Sequence, residues 1–91
     1  EREIKNLIIY KKAMFNADKI TENEILDILN PILKSESVWK SHALLLMADY
    51  FEHSNKLIKS KDFLEEIVNS ELVNNEIRIE AERRLKRKFG D

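Results

Sequence analysis

The sequence predicts an all-α fold, a right-handed solenoid of two helical hairpins closed by a C-terminal capping helix. Three observations carry this expectation. The 91 residues include one glycine and one proline, so helix breakers are scarce. Apolar residues recur at helical spacing in five segments joined by connections of a few residues. The apolar stripe of the second segment returns 35 residues later in the fourth.

Helix one is predicted over Arg2 to Asn16, where Ile4, Leu7, Ile8, Met14 and Phe15 follow the helical period with one interruption at Lys11. Helix two has a defined start. Thr21 is a natural N-cap, and Glu24, three residues on, completes a capping box. Ile25, Ile28, Leu29 and Ile32 form its stripe, and Pro31 should kink or end the helix locally. Helix three is predicted over Ser37 to His53. Its stretch HALLLMADYF, His42 to Phe51, leaves almost no polar face, so it needs cover on several sides. Helix four is predicted over Lys56 to Asn69 with Leu57, Phe63, Leu64, Ile67 and Val68 as its apolar set. Helix five starts at a cap on Asn74 or Asn75, runs to Phe89 and stops at Gly90, a favoured left-handed residue beyond a helix end.

A shift of 35 residues places Ile28 on Phe63, Leu29 on Leu64, Ile32 on Ile67 and Leu33 on Val68. It also places Ile9 on Leu44, Ala13 on Ala48 and Phe15 on Tyr50. A period near 34 residues built from two helices is the signature of a tetratricopeptide-type solenoid. Ala48 and Ser60 then fall where close helix packing needs small side chains. Helix three becomes the middle of the stack, between helix four and the first hairpin. A plain five-helix bundle would bury a central helix equally well.

Composition sets further bounds. Apolar residues at 43% and charged residues at 36% describe one ordinary globular domain over residues 1–91. The formal net charge of −1 exerts no overall pull on nucleic acid or anionic lipid. The chain has no cysteine, which excludes disulfides and thiolate metal sites. The longest apolar run, Ala43 to Ala48, is too short to span a bilayer. Glu1 already lies inside a helical pattern, so the chain is expected to be a C-terminal fragment whose targeting segment lies upstream.

Two segments, NPILKSESVWKSHALLLMADYF (Asn30–Phe51) and NNEIRIEAERRL (Asn74–Leu85), carry a family resemblance. A proline within a second helix, a Ser-x-Trp-basic start to the next and a final Arg-Ala-containing helix resemble the C-terminal part of membrane-anchored bacterial tetratricopeptide-like proteins. The best-known members are the YfgM-type ancillary subunits of the Sec translocon. In place of the Gly-Asp turn typical of that family stands Ser54-Asn55-Lys56, and Ser60 stands for an alanine. The resemblance implies an N-terminal membrane anchor outside this chain, a location on the periplasmic side of the bacterial inner membrane, and a protein-binding role.

No catalytic constellation is legible, and no cofactor is expected. His42, Asp49 and His53 share one helical face, which raises metal binding. At ~1.5 Å per residue His42 and Asp49 stand ~10 Å apart and cannot share an ion. Asp49 with His53 would make only a two-ligand site. The same face has a better use. In tetratricopeptide folds the first helix of each pair lines the concave surface, and the lining places fall on Leu7, Tyr10, Met14, His42, Leu45, Asp49 and Glu52. That strip suits a protein or peptide partner, without enzymatic activity. Trp39 reads either as an exposed anchor for a partner or as a core plug between helices two and three near Pro31. The run RRLKRK, Arg83 to Lys88, reads either as a nucleic-acid or lipid contact or as a last turn whose cations offset the helix dipole. A small nucleic-acid-binding or regulatory domain acting through helix five is therefore the alternative function. Helix one is expected to expose Ile4, Leu7 and Ile8 and to self-associate through them.

Overall fold

The computed structural model describes residues 1–90. Five helices follow one another: α1 (Arg2–Asn16), α2 (Glu22–Leu33), α3 (Lys40–His53), α4 (Leu57–Asn69) and α5 (Asn75–Phe89). There is no strand among the described residues. Consecutive helices pack as helical hairpins, and α3 also touches α1 and α5. The body measures 40 × 29 × 17 Å, so its thinnest direction is less than two helix diameters.

Local signals place several of the helix ends. Thr21 Oγ1 accepts from the Glu24 N–H at 3.2 Å, and Glu24 accepts from the Thr21 N–H at 2.8 Å. This is the predicted capping box, and it draws the Glu24 carboxyl below its ordinary range. Asn74 caps α5 by accepting from the Ile77 N–H. Gly90 ends α5 in the left-handed region, at φ 71°. α3 ends at His53, and beyond it Asn55 turns the chain at φ 60°, where the Lys56 N–H donates to the Phe51 carbonyl at 2.8 Å. Asparagine tolerates that conformation and does here what glycine does in many such turns. Pro31 lies in the last turn of α2, and the helix runs through it to Leu33.

The start of α3 differs most from expectation. α3 begins at Lys40, not at Ser37. Ser37 is buried and its hydroxyl is engaged twice: it donates to Glu3 Oε1 at 2.6 Å and accepts from the Trp39 N–H at 3.0 Å. The other Glu3 oxygen accepts from the Val38 N–H at 3.2 Å. A side chain of α1 thus ties residues 37–39 into a turn ahead of the helix.

Two clusters form the interior. The first joins Ala13 of α1, Ile25, Leu29 and Ile32 of α2, and Ala43, Met47 and Phe51 of α3. The second joins Leu44 and Ala48 of α3, Leu64 and Ile67 of α4, and Ile77 and Ala81 of α5. The pairs Leu29/Leu64, Ile32/Ile67 and Ala13/Ala48, matched by the 35-residue shift, are all buried. α3 supplies both clusters, which is why so little of it is polar. Leu46 of α3 is only partly buried and opens on the surface described next. Where α3 crosses α4, Ser60 Oγ donates to the Ala48 carbonyl at 2.8 Å.

The candidate binding groove

A depression of about 310 Å³ lies between Tyr10 and Met14 of α1, His42, Leu45, Leu46 and Asp49 of α3, and Asn74, Glu76 and Ile77 at the start of α5. A second, of about 290 Å³, shares Met14, Leu46 and Asp49 with it and continues past Ala17, Asp18, Tyr50 and His53. Together they make one groove along α1 and α3. No residue of α2 or α4 lines it.

Five of the seven predicted lining residues meet there: Tyr10, Met14, His42, Leu45 and Asp49. Glu52 lines a neighbouring shallow hollow with Glu80, Arg84, Arg87 and Lys88, and Leu7 lines none of these hollows. Sequence reasoning missed the contribution of Asn74, Glu76 and Ile77 from α5. Leu46 also lines the groove, at helical spacing with His42, Asp49 and His53 along one face.

The groove is walled at one end by aromatic rings. Tyr10 stacks on Trp39 at 6.2 Å between centroids and meets His42 edge-on at 5.7 Å. Trp39 lies 4.9 Å from His42. Trp39 is therefore half-buried against α1, between the two expected extremes. Burial, with the Asp49 charge, raises the Tyr10 hydroxyl above its ordinary range, which keeps it neutral. His42 Nδ1 is buried without a hydrogen-bond partner among the described residues, and burial lowers the ring's pKa. His53 Nδ1 is turned to the Asp49 main-chain carbonyl at 2.9 Å. Among the described residues no three histidine, aspartate or glutamate side chains stand together as a metal site.

The acids of α3 have partners inside the molecule. Arg84 bonds Asp49 and, at 2.7 Å, Glu80; Lys88 bonds Glu52; Arg83 bonds Glu80 at 2.6 Å. The Lys88 bond holds the Glu52 carboxyl low, and the Arg84 bond does the same for Glu80. Burial disfavours the Arg84 charge, but its bonds to Glu80 and Asp49 outweigh this. The basic run thus clamps α5 to α3, and Lys86 and Arg87 are its members without an ion pair among the described residues. Asp18 and Glu76, at opposite ends of the groove, are exposed and form no ion pair among the described residues.

Most of the polar contacts between hairpins join residues about one repeat apart. Glu3 reaches Ser37 and Val38, 34 and 35 residues on. Glu22 takes Lys56 and Lys59, 34 and 37 residues on, both at 2.6 Å. Ser41 accepts from the Asn74 N–H across 33 residues. The Asp49–Arg84 and Glu52–Lys88 pairs span 35 and 36. No described helix is long and apolar enough to cross a membrane. Comparison with protein families, curated proteins and solved structures gives no match for this chain.

Proposed function

We propose that this chain is a non-catalytic binding module of tetratricopeptide-like build that receives a peptide along the α1–α3 groove. The observation that carries the reading is the groove's membership: α1, α3 and α5 line it, and α2 and α4 do not. In a right-handed stack of helical hairpins the first helices of successive units line one concave surface. The spacing of the elements supports the same reading. α2 begins at Glu22 and α4 at Leu57, 35 residues on; α3 begins at Lys40 and α5 at Asn75, again 35 residues on. Contacts one repeat apart are what nearest-neighbour stacking produces.

The lining defines the peptide. Tyr10, Met14, Leu45, Leu46 and Ile77 offer an apolar floor, and Asp18 and Glu76 offer carboxylates near the two ends. A segment with apolar residues in its middle and basic residues towards its ends fits that pattern. The resemblance of Asn30–Phe51 adds the setting, a membrane-anchored protein on the periplasmic side. An encoded apolar stretch of about 20 residues ahead of Glu1 is the observation that tests this part.

The groove is tested with a peptide selected on the domain from a random display library. Tyr10→Ala with Leu45→Asp should weaken the selected peptide by about tenfold or more while the fold is kept, since both residues are only partly buried. Equal affinity for the wild type and the double variant removes the groove from consideration.

A further inference from the structure

The side of α1 turned away from the groove carries an apolar surface without a partner among the described residues. Ile4 and Ile8 are each 62% exposed and Phe15 is 70% exposed. At 3.6 residues per turn the three fall within about 40° of arc, so they form one stripe. Exposed lysines border it on both edges, Lys11 on one side and Lys5 and Lys12 on the other. None of these lysines makes an ion pair among the described residues.

The internal repeat indicates what such a face accepts. The 35-residue shift places Ile4, Ile8 and Phe15 on Trp39, Ala43 and Tyr50 of α3. Ala43 is fully buried in the first cluster, and Trp39 and Tyr50 pack against it. The equivalent side of α3 is therefore covered by a helical hairpin, whose second helix, α2, carries Glu22, Glu24 and Asp27. Among the described residues the same side of α1 has no such cover.

We propose that α1 docks an amphipathic helix of another protein, apolar along one stripe and acidic on both flanks. The charge decides the occupant. A second copy of α1 brings lysines against lysines whether the two helices run parallel or antiparallel, because both edges of the stripe are basic. An acidic rim makes favourable pairs on both edges and leaves the apolar stripes facing each other.

The probe is a synthetic helical peptide with a leucine stripe and glutamate flanks, beside the same peptide with lysine flanks. Wild-type protein should bind the glutamate form about tenfold or more tightly than the lysine form, with weakening as salt rises. Backbone chemical-shift changes should centre on the outer side of α1. The triple variant Lys5→Glu, Lys11→Glu, Lys12→Glu should invert the preference. Ile8→Lys should lower affinity for the glutamate form by about tenfold. Tyr10→Ala with Leu45→Asp should leave it unchanged, which keeps this face separable from the groove. The proposal is overturned by a preference that ignores the charge reversal, by shifts that map to the groove, or by no binding of the glutamate form. Concentration-dependent self-association that Ile8→Lys abolishes would also overturn it, since the occupant is then a second copy.

Discussion

His42 shows how one side chain links the interior to the groove. Its ring is held by Tyr10 and Trp39, and its buried Nδ1 has no partner among the described residues. An unmade hydrogen bond at a buried atom costs about 1–3 kcal/mol. Burial also lowers the ring's pKa below 6.5 in the folded chain. The unfolded chain therefore binds more protons in the interval below 6.5, and stability falls as the pH drops through it. Carboxylates with lowered pKa, such as Glu52 and Glu80, begin to lose their contribution only near and below 4.5. His42→Phe keeps an aromatic ring and removes the orphaned nitrogen. It should stabilise the domain by about 1 kcal/mol at pH 7. It should also lessen the loss of stability between pH 6.5 and 5. Urea denaturation of both proteins at the two pH values checks this; an unchanged pH dependence in the variant excludes His42 as its source. The sequence placed His42 on a face with Asp49 and His53. It could not show the rings of Tyr10 and Trp39 closing over it, because that contact depends on how α1 lies against α3.

Between elements, ion pairs decide how α5 is held. Arg84 reaches back to Asp49, and its side chain is mostly buried while Asp49 is partly open to water. Allowing for that screening, Arg84→Met should cost about 1 kcal/mol, and added salt should shrink the difference. Arg87→Met, which breaks no ion pair seen here, should be nearly silent. Equal effects in urea titrations at low and high salt would mean that Ile77 and Ala81 alone hold the helix. Much of the element-level structure was legible in the sequence. The capping box at Thr21, the cap at Asn74 and the stop at Gly90 depend on residues within a few positions of one another, so the sequence displays them directly. The start of α3 was not legible, because the turn at residues 37–39 is tied by Glu3, more than thirty positions away. Neither reading of the basic run, ligand contact or helix-end electrostatics, included its ion pairs to α3, for the same reason. A usable signal did exist: Asp49 and Arg84 are separated by the same 35 residues as the apolar stripes, so any repeat that stacks α5 beside α3 brings them to one level. The same signal places Asn74, Glu76 and Ile77 beside the predicted groove residues of α3.

At the scale of the whole molecule, a repeat and a bundle predict different responses to the same kind of damage. A bundle has one core, and a cavity anywhere in it lowers the stability of every helix together. A stack of hairpins couples neighbours only, so damage at one end need not reach the other. Here the two buried clusters meet through α3, which supplies Ala43, Met47 and Phe51 to one and Leu44 and Ala48 to the other. α5 contributes Ile77 and Ala81 to the second cluster and nothing to the first. Met47→Ala removes a fully buried side chain from the shared helix and should cost about 2–5 kcal/mol. Losing α3 exposes both clusters, so amide protection should fall in all five helices. Ile77→Ala should cost about 2–4 kcal/mol where α5 docks. Its effect should appear as faster exchange in α5 and on the side of α4 that faces it, through an opening that leaves α1 and α2 packed on α3. Native-state hydrogen exchange resolved by helix measures both variants in one experiment. If Ile77→Ala lowers protection in α1 and α2 as much as in α5, the two clusters open as one unit. The molecule then behaves as a bundle, and the proposed peptide groove loses the repeat architecture from which its lining was argued.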